Sequence, residues 1–135
     1  MFSALDISTS GLIAQRTRLT TISANLANTM SLTNDAGEYD PYRRRYVEFA
    51  PGDPTSGSTL GVHVRDVKID GETPLVPRFQ PGHEFADDNG MVHYPNVNSV
   101  IEQMNAMEAA RAYEANISVI EATKSMYSLA LEVLA

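Results

Sequence analysis

The residues in this chain with side chains suited to chemistry are its three histidines, His63, His83 and His93, and the acidic residues beside them; there is no cysteine. No two histidines sit at a ligand spacing such as H-x-x-x-H. His83-Glu84 with Asp87 and Asp88 has the composition of a metal or acid–base cluster, and a small hydrolase using His83 or His93 with Asp87 is the enzymatic reading. The plainer reading is a polar turn with solvated side chains. Asp87-Asp88-Asn89-Gly90 is a turn sequence, and it lacks the spacing and closing Glu of an EF-hand loop. No Gly-rich loop follows a strand to cradle phosphate, and no G-x-S-x-G elbow occurs. The expectation is no catalytic, metal-binding or cofactor-binding residue, no small-molecule substrate and no enzyme.

Three further groups have side chains that could bind. Arg43-Arg44-Arg45 is the only basic run; it reads either as a solvated strand flank or as a contact for an acidic partner, such as a Glu-bearing face of a neighbouring C-terminal helix. Asn25 and Asn28 lie three apart, hence on one helix face. They read first as a helix end, since Asn suits a C-terminal position, with amide bonding across a helix interface as the alternative. Asn116-Ile117-Ser118 is formally a glycosylation sequon, but it lies in mid-helix beside apolar residues and reads as coincidence.

The elements that must carry these residues are two terminal helices and a β-containing insert. Ser99–Leu134 contains no Gly or Pro and is rich in Ala, Leu, Met and Glu. Ser99-Val100-Ile101-Glu102 fits a capping box at its start. Apolar residues recur every seven positions in columns that include Tyr113, Ile120, Tyr127 and Leu134; Ile117 and Leu131; and Val119 and Met126. Between them runs a row of small residues, Ala109, Asn116, Thr123 and Ala130, where another backbone could come close. Met1 to Thr29 repeats the pattern more thinly, with Leu5, Leu12, Leu19 and Leu26 seven apart, Ile22 beside them and Gly11 interrupting. Its many Ser and Thr residues make it a weak helix on its own.

Met30 to Tyr94 loses the helical period. Alternation predicts strands over Tyr42–Phe49 and Leu60–Ile69, a loop over Pro51–Ser58, a short edge strand over Pro74–Phe79, and another strand over Met91–Tyr94. The predicted fold class is mainly α with a small irregular β insert. Residues 1–29 and 99–134 form one helical assembly domain, a coiled-coil-like hairpin, around the insert of residues 30–98. The N-terminal leucine column and the wide C-terminal arc are expected to bury each other only in a polymer.

Composition narrows the function. A net charge of −7 over 135 residues argues against nucleic acid, which requires a basic surface. No run of about 20 apolar residues is present to span a membrane. The N-terminus does not read as a cleaved secretory signal, because no basic residue precedes Arg16 and no continuous apolar block follows.

Three blocks of this sequence resemble the flagellar axial-protein (rod and hook) family, most closely its proximal-rod branch. They are Ser23-Ala24-Asn25-Leu26-Ala27-Asn28; Pro81-Gly82-His83 through Val92 and on to Pro95-Asn96-Val97; and Arg111-Ala112-Tyr113-Glu114-Ala115-Asn116 with Lys124-Ser125-Met126. Glu84 stands where the family usually has Pro, and Met91 where it usually has an aromatic residue. The resemblance implies a structural subunit of the basal-body rod in the periplasm, exported without a cleaved signal peptide through the flagellar type III apparatus. It implies assembly with copies of itself and other rod proteins into a helical tube, with the terminal helices lining the channel. The expected assembly residues are Leu5, Leu12, Leu19, Ile22, Asn25, Leu26, Asn28, Tyr113, Asn116, Ile117, Val119, Ile120, Met126, Tyr127, Leu131 and Leu134. A free-standing coiled-coil adaptor or chaperone-like binding module is the alternative.

Overall fold

A computed structural model describes residues 2–135, with side chains from Ser3 onward. Met1 and the side chain of Phe2, both within the predicted first helix, lie outside the described residues. Helix α1 runs Phe2–Ala27 and helix α2 runs Ser99–Leu134. Between them lie strands β1 (Arg45–Asp53), β2 (Ser58–Ile69), β3 (Val76–Phe79) and β4 (Met91–Tyr94). Helix α2 and strand β4 have the predicted bounds, and α1 ends at Ala27, two residues short of the predicted Thr29. β1 is displaced: it starts three residues later than predicted and continues through Pro51, so the expected loop shrinks to Pro54–Gly57. Gly52 and Gly57, both at positive φ, let the strand end turn this tightly.

The strands form two separate two-stranded antiparallel sheets, β1 with β2 and β3 with β4. In the first, Arg45 faces Ile69 and Asp53 faces Ser58, with a register shift after Glu48. In the second, Val76 faces Tyr94. Neither sheet has a core of its own; two-stranded ribbons are marginal alone. The first packs along α1, where the Ser10 hydroxyl accepts from the Val62 N–H at 3.0 Å. Gly61 permits this approach, since a Cβ there would sit 2.8 Å from Ser10 Oγ.

The apolar core is small: Ala14, Ile22, Val92, Tyr94, Val97 and Ala109. The two helices pack antiparallel within one chain. This corrects the expectation that they bury each other only in a polymer: the β1–β2 hairpin covers a second side of α1 within the chain, although Ile7 and Ile13 stay exposed.

The start of α2 differs from the predicted capping box. The N-cap is Asn98, whose side chain accepts from the Val100 and Ile101 N–H groups. Glu102 does not reach back to a cap, because its carboxylate is buried against α1 and Arg44.

Candidate assembly interface

Asn25 joins α1, the entry to β1 and the start of α2. Its side chain is fully buried. Nδ2 donates to the Arg45 carbonyl at 2.8 Å and to Glu102 Oε2 at 3.0 Å. Oδ1 accepts from the Arg45 N–H at 2.9 Å and the Tyr42 hydroxyl at 2.9 Å. The amide thus pairs with Arg45 as a neighbouring strand would, and all of its hydrogen-bonding capacity is used. Asn25 therefore makes the amide bonds of the alternative reading, but inside the chain. Asn28 keeps the helix-end role: its amide donates to the Ala24 carbonyl at 2.8 Å and accepts from the Ser31 hydroxyl at 2.9 Å.

Glu102 is also fully buried, and Arg44 Nε donates to its Oε1. A carboxylate out of water is tolerated only when paired and hydrogen-bonded; here Arg44 and Asn25 do both. The Arg44 N–H donates to Asn96 Oδ1 at 2.7 Å, while Asn96 Nδ2 donates to the Asp70 and Thr73 carbonyls. The basic run is therefore not a uniform solvated flank. Arg44 meets the Glu of a C-terminal helix, as the acidic-partner reading had it, but that helix is its own. Arg45 lies over the Tyr42 ring, 5.7 Å from its centroid. Burial pushes the Tyr42 hydroxyl above the ordinary phenol range, against the opposing effect of Arg45.

Along the helix pair, the row of small residues is where the backbones meet. Ala109 and Thr123 are buried on α2, and a Cβ at Gly11 would come within 2.8 Å of Asn116 Nδ2. Gly11 does not interrupt the helix; it admits Asn116. The leucine column is not the centre of the seam. Leu5, Leu12, Leu19 and Leu26 are half-buried, as are Tyr113, Asn116, Ile117, Ile120 and Tyr127. The deepest positions on α1 are Ala14, Ile22 and Asn25, because α1 is covered by α2 on one side and the hairpin on another.

Asn25 faces Glu102 and Gly11 faces Asn116, so each step along α1 is one step back along α2. By that register residues 3–27 of α1 lie opposite residues 124–100 of α2, and the last turns of α2 run beyond the described side chains of α1. In that overhang Met126, Leu131 and Leu134 are 59%, 65% and 84% exposed. Val119 is exposed as well. The predicted assembly residues thus divide into a group used inside the chain and a group left open, Val119 in the middle of α2 and Met126, Leu131 and Leu134 at its end.

The acidic turn carries no constructed site. Among the described residues no group of three or more His, Cys, Asp or Glu could hold a metal ion. Asp87 accepts from the Asn89 and Met91 N–H groups and lies 3.4 Å from His93 Nε2. The Met91 N–H first, then Asn89 and His93, hold its carboxyl below the ordinary aspartate range. Among the described residues no helix is long and apolar enough to cross a membrane.

Sequence reading missed Glu102, Arg44, Asn96 and Tyr42 as members of the polar junction. Their partners are distant in sequence, and only the family blocks around Asn25 and over Pro95-Asn96-Val97 marked parts of the place.

Two family profiles match the chain: one described as flagella basal body rod protein over residues 5–29, the other as flagellar basal body rod FlgEFG protein C-terminal over residues 88–133. Three relatives are each named flagellar basal-body rod protein FlgC. That of Borreliella burgdorferi is 38% identical over 152 aligned positions, covering 99% of this chain and 97% of the relative. That of Escherichia coli O6:H1 is 40% identical, covering 93% and 92%. That of Agrobacterium fabrum is 39% identical, covering 98% and 94%. With similarity of this level running through both helices and the polar junction between them, the chain belongs to the FlgC family of flagellar basal-body rod proteins.

Proposed function

We propose that this rod subunit polymerises helically, with copies of itself and other rod proteins, through the apolar surface that its terminal helices leave uncovered. The observation carrying this is the overhang of α2, where Met126, Leu129, Leu131, Val133 and Leu134 are all exposed. An apolar end of this kind on an acidic chain signals an interaction site. A contact between different faces of successive copies does not close on itself, and so suits an open tube. Residues 1–29 with 99–134 act as the assembly unit, and residues 30–98 form the outer, subunit-specific part. The subunit is structural, with no catalytic role. It reaches the periplasmic rod through the flagellar type III apparatus, without a cleaved signal peptide.

Leu131→Asp tests the reading. Leu131 is 65% exposed, so the purified variant should keep the helicity and unfolding midpoint of the unaltered chain. Cells carrying it should synthesise and export the subunit but lose motility and lack it in isolated basal bodies. Normal swimming with the variant present in the rod would refute the role given to the overhang.

A further inference from the structure

The repeats in the two helices fit more than one alignment. Asn25 stands opposite Glu102 and Gly11 opposite Asn116, with Arg18 reaching Glu108 between them. The α2 row that meets α1 recurs every seven residues as Glu102, Ala109, Asn116, Thr123 and Ala130. Sliding α1 by one repeat towards the end of α2 therefore sets Arg18 opposite Asn116 and Gly11 opposite Thr123, again small or polar residues. On the flank, Ala14 moves from the level of Tyr113 to that of Ile120, and Ile7 from Ile120 to Tyr127, apolar side chains in both cases. Apolar contact of this kind discriminates weakly between alignments. The opposite slide places Asn25 level with Pro95, ahead of Ser99 where α2 begins, and gives up about two turns of packing. One contact separates the two remaining alignments: only the observed one joins Asn25 to Glu102. After the slip Asn25 faces Ala109, and the buried Glu102 carboxylate loses the Asn25 amide.

We infer that Asn25 and Glu102, with Arg44 holding the carboxylate, are the positioning residues that fix the register of α1 on α2 and so keep the end of α2 bare. The inference rests on the rod-subunit reading above and deepens it. A buried ion pair adds little net stability over apolar residues of the same size, because desolvation offsets its attraction; its best-attested use is to select one alignment. Here the selection has a consequence outside the junction. A slip of one repeat carries α1 about 10 Å along α2 and brings its start alongside Met126 and Leu131, the surface that the overhang otherwise offers. The lock is itself held at both ends. Asn25 is tied to the Arg45 peptide groups and the Tyr42 hydroxyl. Arg44 is tied through its backbone N–H to Asn96, which in turn holds the Asp70 and Thr73 carbonyls. Asn25 and Glu102 are fully buried, so they act on assembly through what α1 covers and not by touching a neighbour.

The chain has no cysteine, so spin labels attached at Ser23→Cys and Ser128→Cys, both exposed positions, report the alignment in the purified full chain. In the observed register the two stand about 36 Å apart along the axis, and the slip shortens this by about 10 Å. In this labelled chain Arg44→Met with Glu102→Leu replaces the ion pair by apolar side chains while Asn25 keeps its bonds to Arg45 and Tyr42. The expected result is unchanged helicity, a thermal midpoint within a few degrees of the unaltered chain, and a second distance about 10 Å shorter. Arg44→Met with Glu102→Gln restores an uncharged acceptor for Asn25 and should return the single long distance. An unchanged single distance in the Leu variant overturns the inference. So does loss of its helicity, which would make the junction a source of stability and not of register. Equal slippage in the Gln variant overturns the role of the Asn25–Glu102 contact. In cells, the Leu variant should enter isolated basal bodies less than the Gln variant. A slipped register in the purified chain with undiminished rod incorporation upholds the lock and overturns the role given to the overhang, so the two failures can be told apart.

Discussion

At the scale of single residues, the chain places its most costly polar groups where three segments meet. Asn25 satisfies four hydrogen bonds within the fold. Replacing it with Ala strands the Arg45 peptide groups and the Tyr42 hydroxyl and takes one bond from Glu102. Unsatisfied buried groups cost about 1–3 kcal/mol each, partly relieved by relaxation, so Asn25→Ala should lose about 3 kcal/mol in urea unfolding. Asn28→Ala, at the half-buried helix end, should lose under about 1 kcal/mol. Equal losses would mean that Asn25 is only a cap. Asp87 makes a prediction in pH. Its depressed carboxyl contributes stability that is present above the ordinary aspartate value of about 3.9 and is lost as pH falls through the lower folded value. Followed by carboxyl NMR, Asp87 should titrate below the ordinary aspartate value; a midpoint at or above that value would contradict the turn described here.

The elements show how far apolar periodicity carries a reading. The bounds of α2 match because 36 residues without Gly or Pro leave few alternatives. The strand positions were less legible: β1 starts at Arg45 and not at Tyr42, because Tyr42 and Arg44 turn inward to Asn25 and Glu102. Alternation records which side a residue faces, not whether its neighbours pair as a ladder. Gly11 is the clearest case of a residue read one way and used another. Its lack of a side chain costs helix propensity of about 1 kcal/mol, yet it makes room for Asn116. Gly11→Leu should lower the thermal midpoint by several degrees despite the better helix former, and adding Asn116→Ala should restore part of the loss. A stabilising Gly11→Leu would show that the helices are not in close contact there.

For the molecule as a whole, the main division lies between what one chain can bury and what it leaves for others. Helix α1 is covered on two sides within the chain, while α2 is covered on one. A whole-chain measurement follows. Proteolysis of the purified subunit should cut first within residues 126–134, where Met126, Leu129, Leu131, Val133 and Leu134 are all exposed, and later in α1. Initial cleavage inside α1 would reverse this picture.

The amino-acid sequence by itself determined the two long terminal helices, the β-containing middle and the resemblance to flagellar axial proteins. Those rest on local patterns: composition, a seven-residue period, and blocks of consecutive residues. Only the tertiary structure decided that Glu102 is a buried partner of Asn25 and Arg44 and not a capping residue, that Gly11 is a contact, and which apolar residues of α2 remain bare. The reason is physical. Periodicity assigns a residue to a face of a helix, but burial and hydrogen-bond partners depend on what arrives at that face, and here the partners of Glu102 lie 58 and 77 residues away along the chain.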